Sequence, residues 1–223
     1  MLEEIDAWSP DAVWCLGDTV GYGPAPNRCC ELVSQRADVC LIGNHDLVAL
    51  GALDVHDFNE EAAAAALWTR DELEERWRSF LSALEPSAVV GEAELFHASP
   101  RDPIWEYVLS AETAYVSLLT TKAPLVLVGH SHVALAVGLV DEDLHGGLAP
   151  EGTEVELDGR WLLNPGSVGQ PRDGDPRAAW LELDTVERFA RFRRVAYPIE
   201  RTQADMRERG LPESLVTRLV HGV

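Results

Sequence analysis

The chain has 223 residues, 46% of them hydrophobic and 25% charged, enough for one globular domain with a substantial core. Its formal net charge of −20, with Lys122 as the only lysine, repels free nucleic acid and anionic membrane surfaces over long range. No stretch approaches the ~20 apolar residues that span a bilayer, and the opening Met-Leu-Glu-Glu-Ile-Asp lacks the basic start and apolar core of a signal peptide.

In chain order, Leu2, Ile5 and Trp8 fall on one side of a helix that starts uncapped at Met1. Residues 12–16 read as a strand ending in Gly17-Asp18, followed by the Gly- and Pro-punctuated loop 21–27 and a helix over 28–36. Asp38 to Ile42 is a short buried strand, and Gly43 bends the chain so that Asn44, His45 and Asp46 follow in a row. Two helices, 59–67 and 71–84, belong to a helical cap over about 57–84 rather than to a separate domain. Short strands at 88–90 and 93–96 deliver His97, and a helix from Ser110 to about Thr121 precedes the apolar strand Leu125–Val128, which ends in Gly129-His130-Ser131-His132. A second β block covers 133–140, 154–164 with a turn at Asp158-Gly159, 178–184 and 189–197, before two closing helices within 200–221. The basic run Arg188–Arg194 reads as a strand whose arginines meet acidic neighbours, not as a nucleic-acid face.

Cys15, Cys29, Cys30 and Cys40 form no CxxC pair and no zinc-finger spacing. Cys15 and Cys40 lie in apolar runs, as reduced buried thiols do, so the reading places the chain in a reducing cytoplasm.

Four apolar strands thus end in polar deliveries: Asp18, Asn44-His45, His97, and His130 with His132. Side chains at the carboxyl ends of neighbouring strands in an α/β sheet converge on one crevice. Left unpaired there, each would cost about 1–3 kcal/mol, a cost that a bound cation removes. Mixed nitrogen and oxygen ligands without thiolate suit manganese, iron, zinc, nickel or cobalt better than calcium or magnesium, and do not choose among them. Two neighbouring ions sharing a carboxylate activate a bridging hydroxide and hold a phosphoryl group for in-line attack.

Gly17-Asp18, Gly43-Asn44-His45-Asp46, His97 and Gly129-His130-Ser131-His132 together resemble the calcineurin-like metallophosphoesterase superfamily, in its motif order. Gly-Tyr-Gly-Pro at 21–24, His97–Asp102 and Asn164–Gln170 are similar to its small bacterial and archaeal phosphodiesterase branch. The resemblance implies a four-layer α/β/β/α sandwich of mixed sheets formed by residues 1–223, and hydrolysis of a small phosphodiester or nucleotide. It implies that Asp18 bridges two metals, that Asn44, His97 and His130 complete one site, and that His132 belongs to the other. His45 would contact the phosphate and protonate the leaving oxygen. Arg101 and Arg172 follow site motifs and could grip phosphate oxygens, with Tyr22 lining the cleft.

Two departures qualify that expectation. The family opens with a strand ending in Asp-x-His; no such pair precedes Asp18, and Met1 falls midway through the family's first helix. Either the chain starts downstream of its true beginning or it is a shortened member lacking that strand, impaired because its first metal keeps only Asp18 and His132. Second, protein phosphatases of the superfamily carry an Asp that orients the histidine where Gly21 stands here. Two other readings remain open: a non-catalytic interaction scaffold with the same fold, and a dinucleoside polyphosphate hydrolase.

Overall fold

The computed structural model describes residues 1–223 and shows a mixed α/β architecture. A six-stranded mixed sheet runs β3(Ser87–Val90)-β4(Ala93–Phe96)-β5(Leu125–Val128)-β9(Arg160–Pro165)-β6(Ala134–Val140)-β7(Asp143–Leu148). The parallel pairs β4–β5 and β5–β9 sit at its centre, flanked by antiparallel pairs. Opposite it stands a second wall in two pieces: the three-stranded sheet β10(Ala178–Asp184)-β11(Phe189–Val195)-β8(Glu154–Glu156) and the parallel pair β1(Trp14–Cys15)-β2(Val39–Cys40). Both β1 and β10 are edge strands.

The main core lies between the walls. Leu95, Leu127 and Leu163 face Leu157, Ala190, Phe192 and Leu41, with Trp14, Leu16, Val39, Leu181 and Leu183 packed at its border. On the other face of the six-stranded sheet, Ala114 and Leu118 of α6(Ala111–Thr120) bury Val126, Val128, Leu135 and Leu162. On the outer side of the second wall, Trp8 of α1(Leu2–Trp8) meets Trp180, ring centroids 6.2 Å apart. The layers are therefore helix, sheet, sheet, helix, as expected.

The basic strand behaves as its composition predicts. Arg191 pairs with Glu154 at 2.6 Å, Arg193 and Arg191 flank the buried Glu182, and Arg194 pairs with Asp173 inside the wall.

Several boundaries differ from the sequence reading, each for a local reason. The stretch 154–164 is not a hairpin: its halves, β8 and β9, pair in different sheets. Strand β7, with Gly146-Gly147 and an exposed surface, has no β-type pattern and forms by pairing with β6. The helix after Ala25 starts at Pro26, whose missing N–H is harmless there, and runs as α2(Pro26–Arg36). The cap helices divide at Leu73, as α4(Glu60–Glu72) and α5(Glu75–Ser82). Asn27 explains the division: its Nδ2 donates to Glu72 O at 2.9 Å and its Oδ1 accepts from Glu74 N at 2.9 Å, serving the end of one helix and the start of the next.

The polar row after Gly43 is the first turn of α3(Asn44–Leu50), which stops at Gly51 with φ 77°. Asp46 accepts from Gly43 N at 2.9 Å and closes that first turn as a cap. Helices α4 and α5 pack over α3 and α2 around Val20, Cys30, Ala49, Leu73 and Leu81. The tail helices α7(Ile199–Glu208) and α8(Glu213–Arg218) close on Ala65 through Met206, Leu215 and Val216.

Candidate metal centre

The ends of β1, β2, β4 and β5 meet at one place. Phe96 and Val128 are partners in register, so His97 and Gly129-His130 leave the large sheet side by side, and Gly129 N donates to His97 O at 2.9 Å. Asp18 follows β1 and Asn44 follows β2, also parallel neighbours. Asp18, His130 and His132 all adopt positive φ, 53°, 60° and 60°, a backbone state uncommon for non-glycine residues and typical of functional sites.

Ligand atoms of Asp18, His97 and His130 lie within 4.8 Å of one another. His97 Nδ1 sits 2.8 Å from Leu16 O, so it carries the proton and donates. Its Nε2 is then a lone pair, 3.2 Å from Asn44 Oδ1 and 3.5 Å from Asp18 Oδ2. Three acceptors face each other, and Asp18 Oδ2 is buried without a hydrogen-bond partner. Such a cluster is unfavourable empty and matched by a divalent cation. The donor set fits the metal that the sequence motifs imply.

The other histidines are prepared the same way. His130 Nε2 donates to Trp105 O at 3.2 Å and His132 Nδ1 to Gln170 O at 2.7 Å, leaving one lone pair on each ring for the site. Carbonyl anchoring of the second nitrogen fixes tautomer and ring orientation, as metal-ligating histidines require. Burial pushes His130 down to about 4 and His132 to about 3, the latter helped by Arg172, so both are neutral lone-pair donors at neutral pH. Burial acts to raise the Asp18 carboxyl, but its histidine neighbours, His97 foremost, bring it below its ordinary range.

The surrounding backbone is built to this cluster. A Cβ on Gly43 would overlap Asp18 Oδ1 and lie 2.6 Å from His97 Cε1, so only glycine fits. Asp46, completely buried, accepts from Val20 N at 3.0 Å through its other oxygen and thereby ties the loop after Asp18 to the turn before Asn44. Asn164, on β9, donates through Nδ2 to Gly129 O at 2.8 Å and Ser131 Oγ at 2.9 Å, holding the His130 turn from below.

His45 differs from the other three. Its backbone N donates to Asp18 Oδ1 at 2.9 Å, and its ring lies between Tyr22 and Phe58, centroids 4.2 and 4.4 Å away. Its Nδ1 is sealed in without a partner against Gly21, where a Cβ would come within 2.6 Å, so Nε2 is the nitrogen left free to act. Burial pushes His45 down to about 4.

Arg172 N donates to His132 O at 3.0 Å, and its guanidinium reaches Gln170 Oε1 at 2.9 Å and the Tyr22 hydroxyl at 3.3 Å without any carboxylate partner. Arg101 is not gathered with the cluster: both arms of its guanidinium are taken by Glu106. Two aromatic contacts carried no sequence signal, Phe58 against His45 and Tyr107 stacked on His130 at 4.1 Å and 20°. Loop aromatics have no periodicity to betray them. Trp105 supplies the carbonyl that fixes His130 and an edge contact to Phe58.

Residues 1–186 match the model of the calcineurin-like phosphoesterase superfamily domain. An uncharacterized protein of Methanocaldococcus jannaschii is 36% identical over 216 residues, 94% of this chain and 86% of that one. The crystal structure of a metallophosphoesterase from Sphaerobacter thermophilus superposes with a TM-score of 0.88 at 41% identity, covering 100% of this chain and 93% of that one. A hypothetical protein from Pyrococcus horikoshii OT3 shares the fold at 18% identity, TM-score 0.81, with 100% and 90% covered. With its motifs on adjoining strand ends and its full length matched in fold, the chain belongs to the calcineurin-like phosphoesterase superfamily.

Proposed function

We propose that this protein hydrolyses small phosphodiesters at the strand-end cluster. Superfamily membership supports metal-dependent phosphoester hydrolysis in general. The diester preference rests on one observation: with Arg101 held by Glu106, Arg172 is the guanidinium left unpaired beside the histidines. Beside the ions, one guanidinium can engage the non-bridging oxygens of a diester, and no second free guanidinium meets the further charged oxygen of a monoester.

In this reading Asn44, His97, His130 and Asp18 would hold one divalent ion, manganese foremost, and Asp18 with His132 would contribute to a second. When bound, the ions supply Lewis acidity and an activated water. Arg172 and Tyr22 grip the non-bridging oxygens. His45 is neutral in the free protein because it is buried. The negative charge of an incoming phosphate raises its proton affinity, so that Nε2 can carry a proton to the leaving oxygen. Tyr22 and Phe58 hold the ring on its two sides, the task a carboxylate at the Gly21 position performs in protein phosphatases of the superfamily.

One cluster of three ligand atoms, from Asp18, His97 and His130, favours as a second reading an interaction scaffold that keeps one ion. Turnover of bis(p-nitrophenyl) phosphate and p-nitrophenyl phosphate by the purified protein with manganese separates these readings. Diester hydrolysis exceeding monoester hydrolysis, and lost in His45→Ala, is expected. No turnover with manganese, iron, zinc, nickel or cobalt would leave the scaffold.

A further inference from the structure

The sequence leaves the cysteines unpaired, but the fold sets two of them face to face. Cys15 and Cys40 are directly opposed in the parallel β1–β2 ladder. The ladder brackets them: Val39 N donates to Val13 O at 3.4 Å and Leu41 N to Cys15 O at 2.9 Å. Opposed residues on neighbouring strands are about 4.8 Å apart, within the Cα separation of about 4.4–6.8 Å that a disulfide spans. Trp14, Leu16, Val39 and Leu41 turn into the core between the walls, so alternation sends both thiols out of the opposite face together. Both residues are half-buried. Cys40 Sγ donates to Leu41 O at 3.5 Å and lies 3.8 Å from Thr19 Oγ1. The neighbouring Cys40 thiol brings Cys15 down to about 7, against the opposing effect of burial, while Cys40 itself is held high. Phosphoester hydrolysis uses neither sulfur.

We propose that Cys15 and Cys40 are a hydroperoxide-reactive dithiol that closes to a disulfide directly beneath the cation site. The Cys15 thiolate attacks one oxygen of hydrogen peroxide. The O–O bond breaks, and the departing hydroxide takes a proton to become water, leaving Cys15 as a sulfenic acid. The Cys40 sulfur then attacks the Cys15 sulfur. The S–O bond breaks, and the hydroxyl leaves with the Cys40 proton as a second water. Two thiols lose two electrons, and the peroxide gains them. The new bond ties β1 to β2 just ahead of the turns that carry Asp18 and Asn44.

Tryptic cleavage after Arg28, Arg36 and Arg70 puts Cys15, the Cys29-Cys30 pair and Cys40 on three different peptides. The full chain is treated with hydrogen peroxide, its remaining thiols are alkylated, and it is digested without reductant for mass spectrometry. The expected product is peptide 1–28 linked to peptide 37–70, two hydrogens lighter than their sum and separated again by a thiol reductant. Cys29→Ser retains the link, whereas Cys15→Ser and Cys40→Ser abolish it. Links to peptide 29–36 in place of that product, a sulfinic acid on Cys15 with no link, or thiols that stay unreactive each overturn the proposal. The wild-type peptide map decides the matter even where a serine variant fails to fold.

Discussion

Asp46 carries no chemistry in the proposed reaction, yet both its oxygens are committed, one to Val20 N and one to Gly43 N. Burial pushes its carboxyl up, and the two N–H donors act the other way. Replacing it with alanine strands two backbone donors in a closed interior, at about 1–3 kcal/mol each. Asp46→Ala is therefore expected to lower unfolding free energy by about 2–6 kcal/mol in urea titrations. A loss below about 0.5 kcal/mol would mean that the loop after Asp18 is held by other contacts. The candidate ligands themselves were legible because each follows a short apolar run, and strand ends in α/β sheets converge. The role of Asp46 was not, because it depends on Val20 returning to α3, a contact no local pattern announces.

At the element scale, Asn27 joins α4 to α5 from a position on α2. Its two backbone bonds are worth about 0.5–1.5 kcal/mol each. Asn27→Ala should therefore lower the melting temperature by several degrees without changing the cation site. An unchanged melting temperature would assign the helix break to Leu73 and its packing instead. The break was misplaced from sequence because propensity alone runs the alanine-rich helix only to Leu67, whereas a distant side chain stops it at Glu72. Strand β7 was missed for a related reason: Gly146 and Gly147 carry no strand propensity, and the strand exists through its ladder to β6. Helix α3 was hidden because its polar first turn looks like a loop until Asp46 is seen as its cap. By contrast β4, β5 and β6 were legible, since an apolar run too short for a helix and bounded by turn residues is best buried as a strand.

For the whole molecule, the buried histidines couple the site to pH. His45, His130 and His132 are held at about 4, 4 and 3 in the folded chain, against about 6.5 when unfolded. Between those values the unfolded chain binds more protons, so the stability these groups contribute is fully present above pH 6.5 and is lost as pH falls toward 4. The metal-free protein should show a melting temperature that declines steadily across that window. A flat profile from pH 7 to 4 would mean that the rings are not buried neutral. Manganese competes with those protons, so the stabilisation it adds should be largest near pH 7 and shrink below pH 5.

Asp18, His97 and His130, with Asn44, form the candidate cation site on which the proposed chemistry depends. Manganese retained after equilibrium dialysis of the purified chain tests it without reference to any substrate. About one ion held per chain is expected, with its loss in His97→Ala and fold unchanged by circular dichroism. No retained ion, or retention equal in wild type and His97→Ala, would contradict it.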